Sequence, residues 1–316
     1  MSDPVQVRWE LSKKYIIGKG LELGALQNPL RISEGVRVLY VDKIDSKTAL
    51  TVHYPELEGN KLVDVDILED AEKLSCFPSD SQDFIIANHF LEHTQNPIGA
   101  ISAHLSKLKN GGILYYAVPD KRRTFDVNRT LTSFEHILQD YENGPSSSYE
   151  QHLKEWVEHV EKKPREQSDY RIKELRAMNY AIHFHVWDAE SFRKFLDKAN
   201  ELLGFPFAIV EYIENNDNEN IAILRKIKSE IKPNENSNLE KKVVNQPIDQ
   251  SDVQTLAVQS LLQVYERRKD LQLAFPEIKK GMGMTSLICW AKKFGIHEED
   301  TLLPYASYYV ENCTTY

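Results

Sequence analysis

No apolar run in the chain approaches the ~20 residues that a membrane-spanning helix needs. The opening MSDPVQVRWE has no apolar signal-peptide core. Cysteine is scarce: Cys76, Cys289 and Cys313 are scattered and odd in number, which offers neither a disulfide framework nor a zinc spacing. A reducing cytoplasm is the expected setting. An excess of positive charge is lacking too, and the net charge of -9 with a pI near 5.6 argues against a nucleic-acid partner. Internal repeats and long low-complexity runs are absent. What is present is apolar content of 41% over 316 residues. That is enough for a sizeable core, as one large domain or one domain with an appendage.

The chain is organised around KGLELGAL, Lys19 to Leu26. Leu21 and Leu23 flank one carboxylate, Glu22, and the run breaks at Gly24. This predicts a first buried strand, a tight turn and a helix to follow. VRVLYVD predicts a second strand over Val36 to Val41 that ends on Asp42. A glycine after one strand and an acid at the tip of the next, about 20 residues on, is the sequence form of a nucleoside-binding crevice. The turn reads G-A-L-Q-N-P, so the second and third glycines of a dinucleotide fingerprint are missing.

Further along, an amphipathic helix is expected around Trp9 to Tyr15, and KLVDVD (Lys61 to Asp66) is a third candidate strand. Phe84 to Ala87 predicts a fourth, closed by Asn88 and His89. Ile98, Ile101, Leu105 and Leu108 recur at helical spacing, with Asn110-Gly111-Gly112 as the stop. Ile113 to Asp120 predicts a fifth strand. Strands alternating with helices imply a doubly wound α/β sheet, Rossmann-like and mostly parallel. Residues 121–180 are polar and read as a helical insertion. Apolar alternation returns at IHFHVW, Ile182 to Trp187. Asp188 can cap a helix bearing Phe192, Phe195, Leu196 and Ala199, stopped by Gly204. A hairpin follows. The expected organisation is a catalytic domain over 1–228 with 121–187 as acceptor-binding lid, a linker over 229–252, and a helical segment over 253–316.

The series GLELGAL, YVD, DAEKL, QDFIIANHFLEH and LKNGGILYYAVPD resembles a class I S-adenosylmethionine-dependent methyltransferase. The likeness runs motif by motif over about residues 16–120, and the hairpin near 206–227 fits that family's seven-stranded sheet. The continuation KRRTFD, LTSFEH, NGP and HFHVW resembles a subgroup, type 11-like, found among bacterial surface-polysaccharide enzymes, often beside glycosyltransferases. The resemblance implies S-adenosylmethionine as cofactor. It assigns Glu22 and Gly24 to the methionine part, Asp42 to the ribose, and Asp70 with Ala71 to the adenine edge. Asp66 is a rival for that last role, and Asn88 lines the methyl end. Ala25 and Leu26 depart from the family's second glycine.

A sugar hydroxyl is a poor nucleophile at neutral pH, so a base or a metal is expected to help. The candidates are Asp120, His89, His183 and His185. If 182–187 is a strand, His183 and His185 face one way, as base and sugar contact or as half a metal site. Spacing alone does not establish a divalent ion. Arg122 and Arg123 can meet an acidic sugar or phosphate, and His136 can line the lid. The expected activity is O-methylation of a sugar hydroxyl in a surface glycan or its activated precursor. An inactive scaffold holding glycan-assembly partners, and methylation of a lipid or small metabolite, stand as alternatives. Partners in the same pathway, such as glycosyltransferases, and a homo-oligomer are left open.

Overall fold

A computed structural model describes residues 3–49, 54, 57–178 and 180–227. The chain divides into two units, Met1–Glu230 and Ile231–Tyr316, and the described residues all belong to the first. The expected linker over 229–252 and helical segment over 253–316 lie outside the described residues. No helix among them is long and apolar enough to cross a membrane.

Seven strands form one mixed sheet in the order β3-β2-β1-β4-β5-β7-β6. They are β1 Lys19–Leu23, β2 Arg37–Asp42, β3 Ile67–Leu68, β4 Gln82–Asn88, β5 Leu108–Pro119, β6 Phe207–Asn216 and β7 Glu219–Lys226. The first five run parallel to one another; β7 is antiparallel to β5, and β6 to β7. The central strands are apolar almost throughout because helices or loops cover both faces. Gly20 is required where β1 meets β4. A Cβ there would lie 2.1 Å from the Phe84 carbonyl oxygen, closer than any side chain can approach.

Helices α1 Pro4–Tyr15, α2 Ser46–Thr48, α3 Pro97–Lys107, α4 Phe134–Asn143, α5 Tyr149–His159, α6 Arg165–Ala177 and α7 Ala189–Leu202 complete the described part. One face of the sheet packs Leu21, Ile85 and Leu114 against Ile98, Ile101 and Leu105 of α3 and Phe192, Phe195 and Leu196 of α7. Each such side chain contributes roughly 1.5–3 kcal/mol by leaving water. The Asp188 side chain accepts from the Ser191 amide at 2.8 Å, and the Ser191 hydroxyl closes a capping box at the start of α7. The insertion has its own small core, in which Leu153, Trp156 and Val157 of α5 meet Ile172 and Leu175 of α6 and Ile182 and Phe184.

Four expectations are corrected. No helix follows Gly24; residues 25–36 run as an irregular loop. Its Leu30 and Ile32 pack with Leu11 of α1 over Phe84 and Ile86. The N-terminal helix thus covers the face that the missing helix would have covered. The third strand is not Lys61–Asp66 but the shorter Ile67–Leu68, and Asp66 instead bonds to β2. Helix α3 stops at Lys107, before the Asn110-Gly111-Gly112 stretch, which falls within β5. Ile182–Trp187 is not a strand, for it makes one bridge, Trp187 to Asp120.

Candidate active site

The chain leaves β1 for β2 and β3 on one side of the sheet, then crosses to β4 on the other. A reversal of this kind opens a crevice beyond the carboxyl ends of the strands. Gly24 follows β1 there in a left-handed conformation, φ 61°, which glycine adopts without steric cost. His89 follows β4 with φ 48°. Such a backbone is uncommon for a side chain with a Cβ.

Two hollows meet at this point. The larger, ≈ 710 Å³, is lined by Glu22, Gly24, Asn88 and His89, and on its outer wall by Arg8, Trp9, Arg31 and the 216–219 turn. The smaller, ≈ 130 Å³, is lined by Asp42, Asp70, Ala71, Glu72 and Phe90. Gly24, Tyr54, His89 and His93 line both. Glu22 pairs in register with Tyr40, and side chains alternate along a strand. Asp42, two residues on from Tyr40, therefore lies on the same face of the sheet as Glu22.

Glu22 is buried and accepts one hydrogen bond from the Leu30 amide at 2.7 Å. Burial pushes its carboxyl up to about 7, against the pull of the Leu30 bond and the Arg8 charge. Its Oε2, and both amide atoms of Asn88, are buried with no hydrogen-bond partner in the protein. Orphaned groups of this kind are costly. Asp42 Oδ1 accepts from the Ile44 amide at 3.3 Å. Asp70 Oδ1 accepts from the Glu72 amide at 3.1 Å, and its Oδ2 pairs with Lys73 at 2.8 Å. The Ala71 carbonyl accepts from the buried His104 Nε2 at 2.8 Å, which fixes that loop. Asp66 Oδ2 accepts from the Tyr40 amide at 2.8 Å, and Asp66 lines neither hollow.

His89 is tied to the far end of the sheet. Its Nε2 donates to Glu219 Oε2 at 2.9 Å, while Nδ1 lies 3.6 Å from Glu92 Oε1. Burial opposes ionisation of Glu219. The hydrogen bonds from Arg8, His89 and Asn216, with the Arg8 charge, nevertheless take it down to about 2. Arg8 grips that carboxylate with Nε, at 2.7 Å to Oε1, and with Nη2. Arg31 stacks over the Trp9 ring, 4.2 Å from its centroid.

The remaining candidates lie apart from the larger hollow, whose lining includes no residue of 121–187. Asp120 is fully buried. It receives Arg122 through the backbone amide at 2.9 Å and the guanidinium at 2.8 and 2.6 Å, and Asn220 at 3.2 Å. Burial would raise its carboxyl, but these bonds hold it below the ordinary range. Arg122 also reaches Asn215. Arg123 is exposed, on the turn its amide closes to the Asp120 carbonyl.

His183 and His185 do not share a face. His183 Nδ1 donates to Asp126 Oδ2 at 2.6 Å, and His183 gathers with Glu92 and His93, their ligand atoms within 4.8 Å of one another. His185 gathers with His136 and His152 instead, within the same distance. The two side chains part because 182–187 is irregular rather than an extended strand.

Glu219, Arg8, Asp126 and His152 were not singled out by sequence, and Glu92 and His93 were read only as the end of the QDFIIANHFLEH motif, with no role. The Glu92 carboxylate is fully buried and neither oxygen has a hydrogen-bond partner. His93 Nδ1 donates to the Ile182 carbonyl at 2.9 Å. The Ile182 carbonyl fixes the Nδ1 proton of His93 and leaves its Nε2 lone pair bare, the usual arrangement for a metal-binding histidine. The one available signal was acid inside apolar sequence, at FLEH and ENIAIL.

The sequence model of a methyltransferase domain family matches residues 34–200, more than half of the chain. No curated protein matches it. Among solved structures, the chain is similar to an S-adenosylmethionine-dependent methyltransferase from Aquifex aeolicus, at 12% identity and a TM-score of 0.39. That match covers 71% of this chain and 90% of the other. It is also similar to the N-methyltransferase NodS from Bradyrhizobium japonicum WM9, solved with S-adenosylhomocysteine. There the identity is 12% and the TM-score 0.38, with 71% and 86% covered. With the family matched over residues 34–200 and the expected seven-stranded sheet in place, the chain belongs to the methyltransferase domain family, in its class I, S-adenosylmethionine-dependent form.

Proposed function

We propose that the chain methylates a hydroxyl of a sugar, in a surface glycan or its activated precursor, with S-adenosylmethionine as donor. The observation that carries this reading is the joining of two kinds of wall in one hollow. The inner wall holds Glu22 Oε2 and the Asn88 amide, polar and without partners. The outer wall offers Asn28, Asn216, Asn218 and Arg31, whose guanidinium lies over the Trp9 ring. Amides beside a guanidinium suit a polyhydroxylated ring.

The residues present fit the donor. Glu22, Gly24 and Asn88 would hold the methionine part, Asp42 the ribose hydroxyls, and Asp70 with Ala71 the adenine edge. Asp66 gives up that role because the β2 backbone occupies it. When bound, the sulfonium supplies an activated methyl group for in-line displacement. The chain's task is to bring the acceptor oxygen to attack distance and to take its proton. His89 is the base of this reading. Its Nε2–H is spent on Glu219, so Nδ1 is the accepting atom, and the Glu219 carboxylate stabilises the imidazolium that forms. Asp120, clamped by Arg122 and Asn220, serves as a structural tie between β5, β7 and the insertion. Glu92, His93 and His183 fit a divalent ion, which would acidify a hydroxyl beside it.

Titration calorimetry with S-adenosylhomocysteine tests the donor side: one site per chain is expected. Absence of heat favours a scaffold without activity. Transfer of labelled methyl to nucleotide sugars or oligosaccharides tests the acceptor, and incorporation only into lipids would overturn it. Affinity for the donor product should also depend on pH. Glu22 is protonated below about 7, and only its ionised form pairs with the ligand's ammonium group. Binding should strengthen as pH rises from 6 to 8, by up to about tenfold. Glu22→Gln should bind weakly with a flat profile.

A further inference from the structure

A second group of ligating side chains lies inside the insertion, away from both hollows. Helix α4 presents His136 and Asp140, four residues apart and so on one face. Helix α5 presents His152, and the irregular segment after α6 presents His185. His136 Nε2 lies 3.0 Å from His152 Nε2 and 3.3 Å from Asp140 Oδ2, and His152 Nε2 lies 4.0 Å from that same oxygen. The three imidazoles each bring a nitrogen within 4.8 Å of the others. Ligands held about 2.0–2.1 Å from a tetrahedral zinc ion lie about 3.3 Å from one another. His136 with His152 and with Asp140 has that spacing, and the His152–Asp140 and His185 separations are wider and would contract around an ion.

Hydrogen bonding within the cluster does not satisfy it. A proton on His136 Nε2 can serve His152 or Asp140, while His185 has no hydrogen bond within the cluster and only the Gln95 backbone as a polar neighbour outside it. Asp140 Oδ2 is likewise buried without one. The other Asp140 oxygen accepts from the Ser148 hydroxyl at 2.6 Å, which orients the carboxylate as an outer-shell partner does. One cation answers all four side chains at once.

We propose that His136, Asp140, His152 and His185 bind one zinc ion that pins α4, α5 and the 182–187 segment to each other. Three imidazoles and a carboxylate suit zinc. Four protein ligands leave no open position, so the role is structural, and it is independent of the reading of the methyl-transfer site.

The test is metal analysis of the full-length chain purified without a metal-affinity tag. Bound zinc is expected, with one equivalent lost in His152→Gln and in Asp140→Asn and at least one equivalent still bound in Glu92→Gln. Zinc below a tenth of an equivalent in the wild-type chain, with none taken up from added ZnCl2, overturns the proposal. So does zinc retained in His152→Gln but lost in Glu92→Gln. Should the variants fail to fold, the wild-type chain gives the same answer. Removing metal with a chelator should lower Tm by about 5 °C or more, restored by ZnCl2 and not by MgCl2. An unchanged Tm overturns it.

Discussion

Asp42→Ala is expected to weaken S-adenosylhomocysteine binding by at least about 100-fold while the melting temperature stays within a few degrees. A carboxylate that accepts two ribose hydroxyls makes two charge-assisted hydrogen bonds, each worth roughly 1.5–3 kcal/mol. Losing both removes about 3 kcal/mol or more, which is two decades of affinity. Asp42 ends β2, and its Oδ1 accepts from the Ile44 amide at 3.3 Å. The turn beside it is held by backbone, with the Gly24 amide donating to the Val41 carbonyl at 3.0 Å. Calorimetry and thermal melting of one preparation separate the two effects. Unchanged affinity in a folded variant would remove Asp42 from the donor site.

Arg129→Met is expected to cost about 3–5 kcal/mol of stability, a fall in Tm on the order of 10 °C. The guanidinium is fully buried, and it donates to Asp126 at 2.9 Å, to the His183 carbonyl at 2.8 Å and to Glu155 at 3.2 Å. Asp126 in turn receives His183. Methionine fills much of the volume but leaves Asp126 and a carbonyl short of a donor in a dry interior. The double variant Arg129→Met with Asp126→Asn removes the stranded charge and should recover part of the loss. Chemical denaturation of the three proteins measures this. Equal stability of wild type and Arg129→Met would mean that water reaches the site.

The central sheet was legible because its strands are short apolar runs with sharp ends. Phe84 to Ala87 and the 113–119 run could hardly fold otherwise, and α7 announced itself through Asp188 and the Phe192–Ala199 stripe. What could not be read was substitution between distant segments. Asn28-Pro29 bars a helix after Gly24, but nothing local says that Leu11 of α1 covers that face from the N-terminus. The acids at the strand tips were legible as single oddities, since a carboxylate within KGLEL demands a purpose. The ring around His89 was not, because its parts are Arg8 and Glu219, 211 residues apart. The pairing of His183 with His185 rested on a period of two that an irregular segment does not obey.

Glu219 opens β7, the last strand of the sheet in chain order. During synthesis, the Arg8 helix and the β4 imidazole therefore leave the ribosome long before their anion does. Until it arrives, Arg8 and His89 share a crevice without the group that reconciles them. A nascent chain halted at residue 218 would carry the donor carboxylates yet lack the relay behind His89, so this corner of the molecule is wired only when the sheet is finished.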